Sequence, residues 1–129
     1  KTSKVIAARR HFKIAKQIEE EINTAKTPNE IIGLRMVAGQ NYFYAFIHAI
    51  DAKLAELSIF PKNHVDRGKL ITQNYKIFKD NKIESRYTIL MDDELSYRRK
   101  VTYRGENGNK FQTLKEAAEI AIKEIENDA

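Results

Sequence analysis

Apolar residues at Val5, Ala8, Phe12, Ala15, Ile18 and Ile22 recur at steps of three and four, which lays them on one face of a helix. The opposite face carries Lys4, Arg9, Lys13 and Lys16, then Glu19, Glu20 and Glu21. In "TAKTPNE" Thr27 is a good N-cap, Pro28 fits the first helical position and Glu30 completes a capping box worth about 1 kcal/mol. A second helix is therefore predicted from Pro28 to Ile59, stopped by Pro61. Its middle, "YFYAFIHAIDAKLAEL", is apolar on nearly every side, so other helices must surround it. Gly33 and Gly39 either weaken its first turns or permit close packing, with a kink or break near Gly39 as one outcome. "PKNHVDRG" reads as a connector, and "KLITQNYKIF" supplies Leu70, Ile71, Tyr75 and Phe78 to a short third helix that "KDNK" ends. A fourth helix from about Ile83 to Tyr103 turns Ile83, Tyr87, Leu90, Met91 and Val101 inward, and "RGENGN" forms a polar turn after it. Thr113 and Glu116 make a second capping box, opening a last helix with Leu114, Ala117, Ala118, Ala121, Ile122 and Ile125 inside. The pattern holds no convincing strand or repeat. It predicts an all-α, up-and-down bundle of about five helices forming one domain over residues 1–129.

Composition narrows the classes of function. A chain of 129 residues with 42% hydrophobic and 32% charged positions is enough for one core and too little for two. There is no cysteine, which excludes thiol catalysis, disulfides and thiolate metal sites and fits a reducing cytoplasm. His48, Asp51 and Lys53 interrupt the longest apolar run, well short of the roughly 18 to 20 residues that span a bilayer. No signal-peptide pattern opens the chain, so a soluble cytoplasmic protein without membrane contact is expected. The net charge of +5, with a pI near 9.4, invites an anionic partner and fits a solubilising surplus equally well.

Candidate chemistry is sparse. The chain has no nucleophile elbow, phosphate-cradling glycine loop or dinucleotide fingerprint. His48 and Asp51 stand three apart and share a helix face with Tyr44. Asp51 could orient His48 as a general base; alternatively the two form a hydrogen-bonded polar seam on a buried helix, favoured because unpartnered burial is costly. His11 and His64 lie on other elements with no ligand spacing to His48, so neither metal nor cofactor is expected. Asp92, Asp93 and Glu94 read as a solvated helix face. In "YRRKVTYRG", Tyr97, Arg98, Arg99, Lys100, Tyr103 and Arg104 interleave rings and cations, the combination that contacts phosphates and stacks on bases. The favourable dipole at a helix C-terminus explains the same arginines without a ligand.

The order of these features resembles the HEPN domains of prokaryotes over most of the chain. Tyr42, Tyr44, Ala45, His48, Ala49, Ala52 and Leu54 match the family's tyrosine-rich central helix, Arg99 and Tyr103 its arginine helix, and Thr113, Glu116 and Ala117 the start of its last helix. The resemblance implies a bundle of about five helices, usually a homodimer, that binds RNA or a nucleotide and often works beside a small nucleotidyltransferase in a toxin and antitoxin pair. Ribonuclease members of that family carry an arginine followed, after four to six intervening residues, by a histidine. Here the corresponding partner of Arg98 is Tyr103, and a phenol with a pKa of about 10 shuttles protons poorly near neutrality. The expectation is a non-catalytic binding module contacting its ligand through Arg98, Arg99, Tyr103 and Arg104, with Arg99 and Tyr103 as the preferred pair. The alternatives are a metal-independent ribonuclease using Tyr103 or His48, and a scaffold that binds only protein.

Overall fold

A computed structural model describes residues 1–95 and 97–126. Its helices are α1 (Thr2–Ile22), α2 (Pro28–Ala55), α3 (His64–Gln73) with a 3-10 turn at Tyr75–Ile77, α4 (Ile83–Met91), α5 (Tyr97–Arg104) and α6 (Asn109–Glu124). No strand occurs among the described residues, and no helix is long and apolar enough to cross a membrane.

The central position of α2 follows from its composition. Tyr42, Phe46, Ile50 and Leu54, spaced by four, are fully buried, while Ala38, Ala45, Ala49 and Ala52 keep its other sides thin enough for close neighbours. Buried alanines answer from α1 (Ala8, Ala15) and α6 (Ala117, Ala118, Ala121), so α1 packs along much of α2 and α6 closes over another side. Lys1 pairs with Glu56 and His11 with Asn41, which shows α1 running antiparallel to α2. The helix continues unbroken through Gly39, whose missing side chain is the seat for α5: a Cβ there would lie 2.3 Å from Val101 Cγ1. Close packing, not a break, is therefore the use of that glycine.

Five features differ from expectation, each for a local reason. Helix α3 starts at His64, inside the expected connector, because the Asn63 side chain caps it by accepting from Asp66 N–H at 2.8 Å. Helix α2 ends at Ala55 rather than Ile59, because Ser58 (φ 58°) turns left-handed while Ser58 N–H donates to Ala55 O at 3.0 Å and Ile59 N–H to Leu54 O at 3.1 Å. That pair of bonds is a Schellman closure, and it precedes Pro61. The predicted fourth helix is two, α4 and α5. Asp92 is extended, and its Oδ1 accepts the N–H groups of Glu94 and Leu95 at 2.9 Å, diverting them from helical bonding. Helix α6 starts at Asn109, five residues early, with Gly108 and not Thr113 at its N-cap position. Gly108 (φ 79°) swings the chain in and Phe111 is buried in the first turn, so Thr113 lies inside the helix and caps nothing. Tyr75, expected inward, sits in the 3-10 turn with 57% of its surface exposed, while Phe78 takes the core position.

Candidate functional site

One side of α2 gathers most of the chain's unusual side chains. On α1, His11 stacks on His48 of α2, with ring centres 5.5 Å apart and planes 13° from parallel. Tyr44 lies 5.4 Å from His11 and 6.4 Å from His48. The row continues through Phe43, 5.8 Å from Tyr44, to His64 on α3, 6.1 Å from Phe43. Above the Phe43 ring, at 5.2 Å, sits the guanidinium of Arg98 from α5. All three histidines of the chain, from three helices, thus share one face with two other rings and an arginine.

Beneath the row runs a buried polar network. Arg67 grips Asp51 with two bonds, Nε to Oδ1 at 2.7 Å and Nη2 to Oδ2 at 3.0 Å, and both side chains are almost wholly enclosed. Its Nη1 reaches His64 Nδ1 at 2.8 Å, and the Tyr87 hydroxyl donates to the His64 carbonyl at 2.6 Å. The expected seam between His48 and Asp51 is therefore not what the fold builds. Asp51 belongs to an ion pair with Arg67, while His48 stacks on His11 and its Nδ1 is buried with no hydrogen-bond partner among the described residues.

These bonds assign the imidazole protons. A guanidinium can only donate, so His64 Nδ1 accepts from Arg67 and the proton of the neutral ring sits on Nε2. The Asn41 amide donates its Nδ2 to Val37 O at 3.0 Å, leaving Oδ1, 2.9 Å from His11 Nδ1, as an acceptor. The neutral His11 ring therefore carries its proton on Nδ1 and its lone pair on Nε2. Burial first, then Lys4 and His11, hold the His48 imidazole below its ordinary pKa; burial followed by Arg67 and Arg98 does the same for His64. The unfolded chain consequently takes up protons before the folded one does. Stability from these two residues is complete above about pH 6.5 and is lost as pH falls toward their folded values. Urea midpoints should fall between about pH 7.5 and pH 5.5, and His48→Phe should flatten part of that decline.

The arginine helix splits its side chains. Arg98 turns toward Phe43, whereas Arg99 Nη2 bonds Asp93 Oδ1 at 2.7 Å on the exposed side. Tyr103 is 74% exposed and Arg104 is exposed at the end of α5. Tyr97 carries Lys110 over its ring at 5.7 Å. Of the four predicted ligand contacts, then, Arg98 joins the ring row, while Arg99, Tyr103 and Arg104 stay on the exposed part of the same short helix. His11, Phe43, His64 and Arg67 were not expected there. A faint signal for two of them existed: His64 and Arg67 stand three apart, and "NHVDRG" opens a helix whose N-cap Asn63 accepts from Asp66 N–H at 2.8 Å.

No group of three or more histidines, aspartates or glutamates that could hold a metal occurs among the described residues. A separate cavity of about 390 Å³ lies between α1, α2 and α6; of the carboxylates that line it, Glu19 is taken up by the Tyr42 hydroxyl and by Lys115 at 3.0 Å. Comparison with protein-family models, with curated proteins and with solved structures gives no match.

Proposed function

We propose that the protein is a helical module that binds RNA or a nucleotide without cutting it. The observation that carries this is the row of rings flanked by cations, from His11 through Tyr44 and His48 to Phe43, His64 and Arg98. Bases stack on the exposed ring of the row, Tyr44, at about 1–3 kcal/mol each, while Phe43 lies buried beneath Arg98, and phosphates are drawn by the cations beside them. The +5 net charge supports the same partner. Arg99, Tyr103 and Arg104 add a flank on which a strand leaving the row can continue. The resemblance to HEPN domains extends the proposal to a cytoplasmic homodimer with a nucleotidyltransferase partner. Its test is anisotropy of a labelled single-stranded uridine oligomer of about twelve nucleotides, titrated at several salt concentrations. Affinity should fall with a log-log slope of about 0.7 per phosphate contact, and the oligomer should stay intact in EDTA. Absence of binding even at low salt contradicts the proposal and favours a scaffold for proteins.

The second reading, metal-independent cleavage, is favoured by one observation: His11 offers a free Nε2 lone pair beside a second imidazole, His48. Strand breakage in EDTA that disappears in His11→Ala and in His48→Ala would establish it.

A further inference from the structure

Among the described residues, the stack of His11 on His48 has cations nearby and one carboxylate, Asp51, that acts on it. Facing it are Lys4 on α1 and Arg67 of α3, while Arg98 of α5 stands further along the row, over Phe43. The carboxylate among these neighbours is Asp51, and both of its oxygens are committed to Arg67. In the free protein a proton added to the stack meets like charge on several sides and gains no carboxylate. A phosphate laid across the ring row changes that balance, because it supplies the acceptor oxygens and the negative charge that the fold withholds.

We propose that ligand binding on this face is proton-linked: the His11–His48 pair takes up a proton as a phosphodiester seats against it, so that RNA binds more tightly as pH falls. This rests on the RNA-binding proposal and adds its regulation. The receiving atom is His11 Nε2, whose lone pair is left free by the Asn41 contact, or the His48 ring stacked 5.5 Å from it. His64 is not a receiver, because its Nδ1 is occupied by an Arg67 donor; the neutral ring offers Nε2–H as a donor. Linkage is reciprocal, so a proton that strengthens RNA binding is a proton that RNA binding draws in. The phosphodiester itself does not titrate near neutrality, which leaves the imidazoles as the source of any slope there.

Two measurements on the intact protein decide the matter, with the labelled single-stranded uridine oligomer as probe. Affinity between about pH 7.5 and pH 5.5 at constant salt should rise by up to tenfold per unit for one linked proton. Calorimetry in buffers of different ionisation enthalpy should show uptake of close to one proton per site at an intermediate pH. Replacing both rings, His11→Gln with His48→Gln, should flatten the slope and abolish the uptake, whereas Arg98→Gln should weaken binding at every pH and leave the slope. The calorimetric uptake is read in the unmutated protein, so it stands even if a variant folds poorly. Binding with flat pH dependence and no uptake overturns the linkage and leaves RNA binding intact. No binding at any pH removes both.

Discussion

Replacing Asp51 by alanine should destabilise the protein by about 3–5 kcal/mol, the usual cost of removing one partner of a buried ion pair. The magnitude follows from what stays behind. Arg67 would keep its position between α2, α3 and α4 with two of its donors unpaired, in a site where its side chain is only 10% exposed. A guanidinium does not lose its proton to escape such a site. Its remaining bond to His64 Nδ1 would not offset that loss. Thermal unfolding should show a fall in Tm on the order of 10 °C. Replacing both partners together, Asp51→Leu with Arg67→Met, should recover much of the stability, because the charge and its desolvation cost leave together. A fall of less than about 1 kcal/mol for Asp51→Ala would mean that water reaches the pair and that α3 is not held to α2 in this way.

The largest functional effect is expected at Tyr44. Its ring is 40% exposed, stands against both His11 and His48, and so is held in place before any ligand arrives. A pre-positioned ring stacks a base with little further loss of freedom, at about 1–3 kcal/mol per base. Tyr44→Ala should thus weaken single-stranded RNA binding roughly 5- to 150-fold, since about 1.4 kcal/mol is a factor of ten. Tyr44→Phe should bind nearly as well as the parent. Tyr103 is the instructive comparison: with 74% of its surface in solvent, it must be immobilised on binding, and Tyr103→Ala should cost less. If Tyr103→Ala proves the more damaging, the strand lies along α5 and the ring row is not its seat.

The difference between Tyr44 and Tyr103 also shows where sequence reasoning reached its limit. Helix content, the Thr27 cap and the central place of α2 were legible because they depend on residues close together in the chain: Thr27 Oγ1 accepts from Glu30 N–H at 3.1 Å, and the apolar run of α2 is buried as its composition demands. The break between α4 and α5 was not legible, because Asp92 suits a helix face and a turn equally until its side chain is seen bonding Glu94 and Leu95. The same holds for the site. His48 and Asp51 were visible as a pair at helical spacing, yet their partners come from 37 and 16 residues away, His11 and Arg67. Nothing in a single sequence records which helix brings its side chains to which. Arg98 and Arg99 could be told apart only as diverging; the packing of α5 on α2 sends one to Phe43 and the other to Asp93.

The most direct measurement uses the three histidines themselves. The imidazole carbon–proton resonances of His11, His48 and His64 are three signals from three helices, and all report on one face. Titrating the protein with the single-stranded uridine oligomer should shift all three in proportion to the bound fraction measured by anisotropy, with His11 and His48 moving toward the protonated ring. Saturation with RNA that leaves the three resonances where they were contradicts the ring row as the binding face.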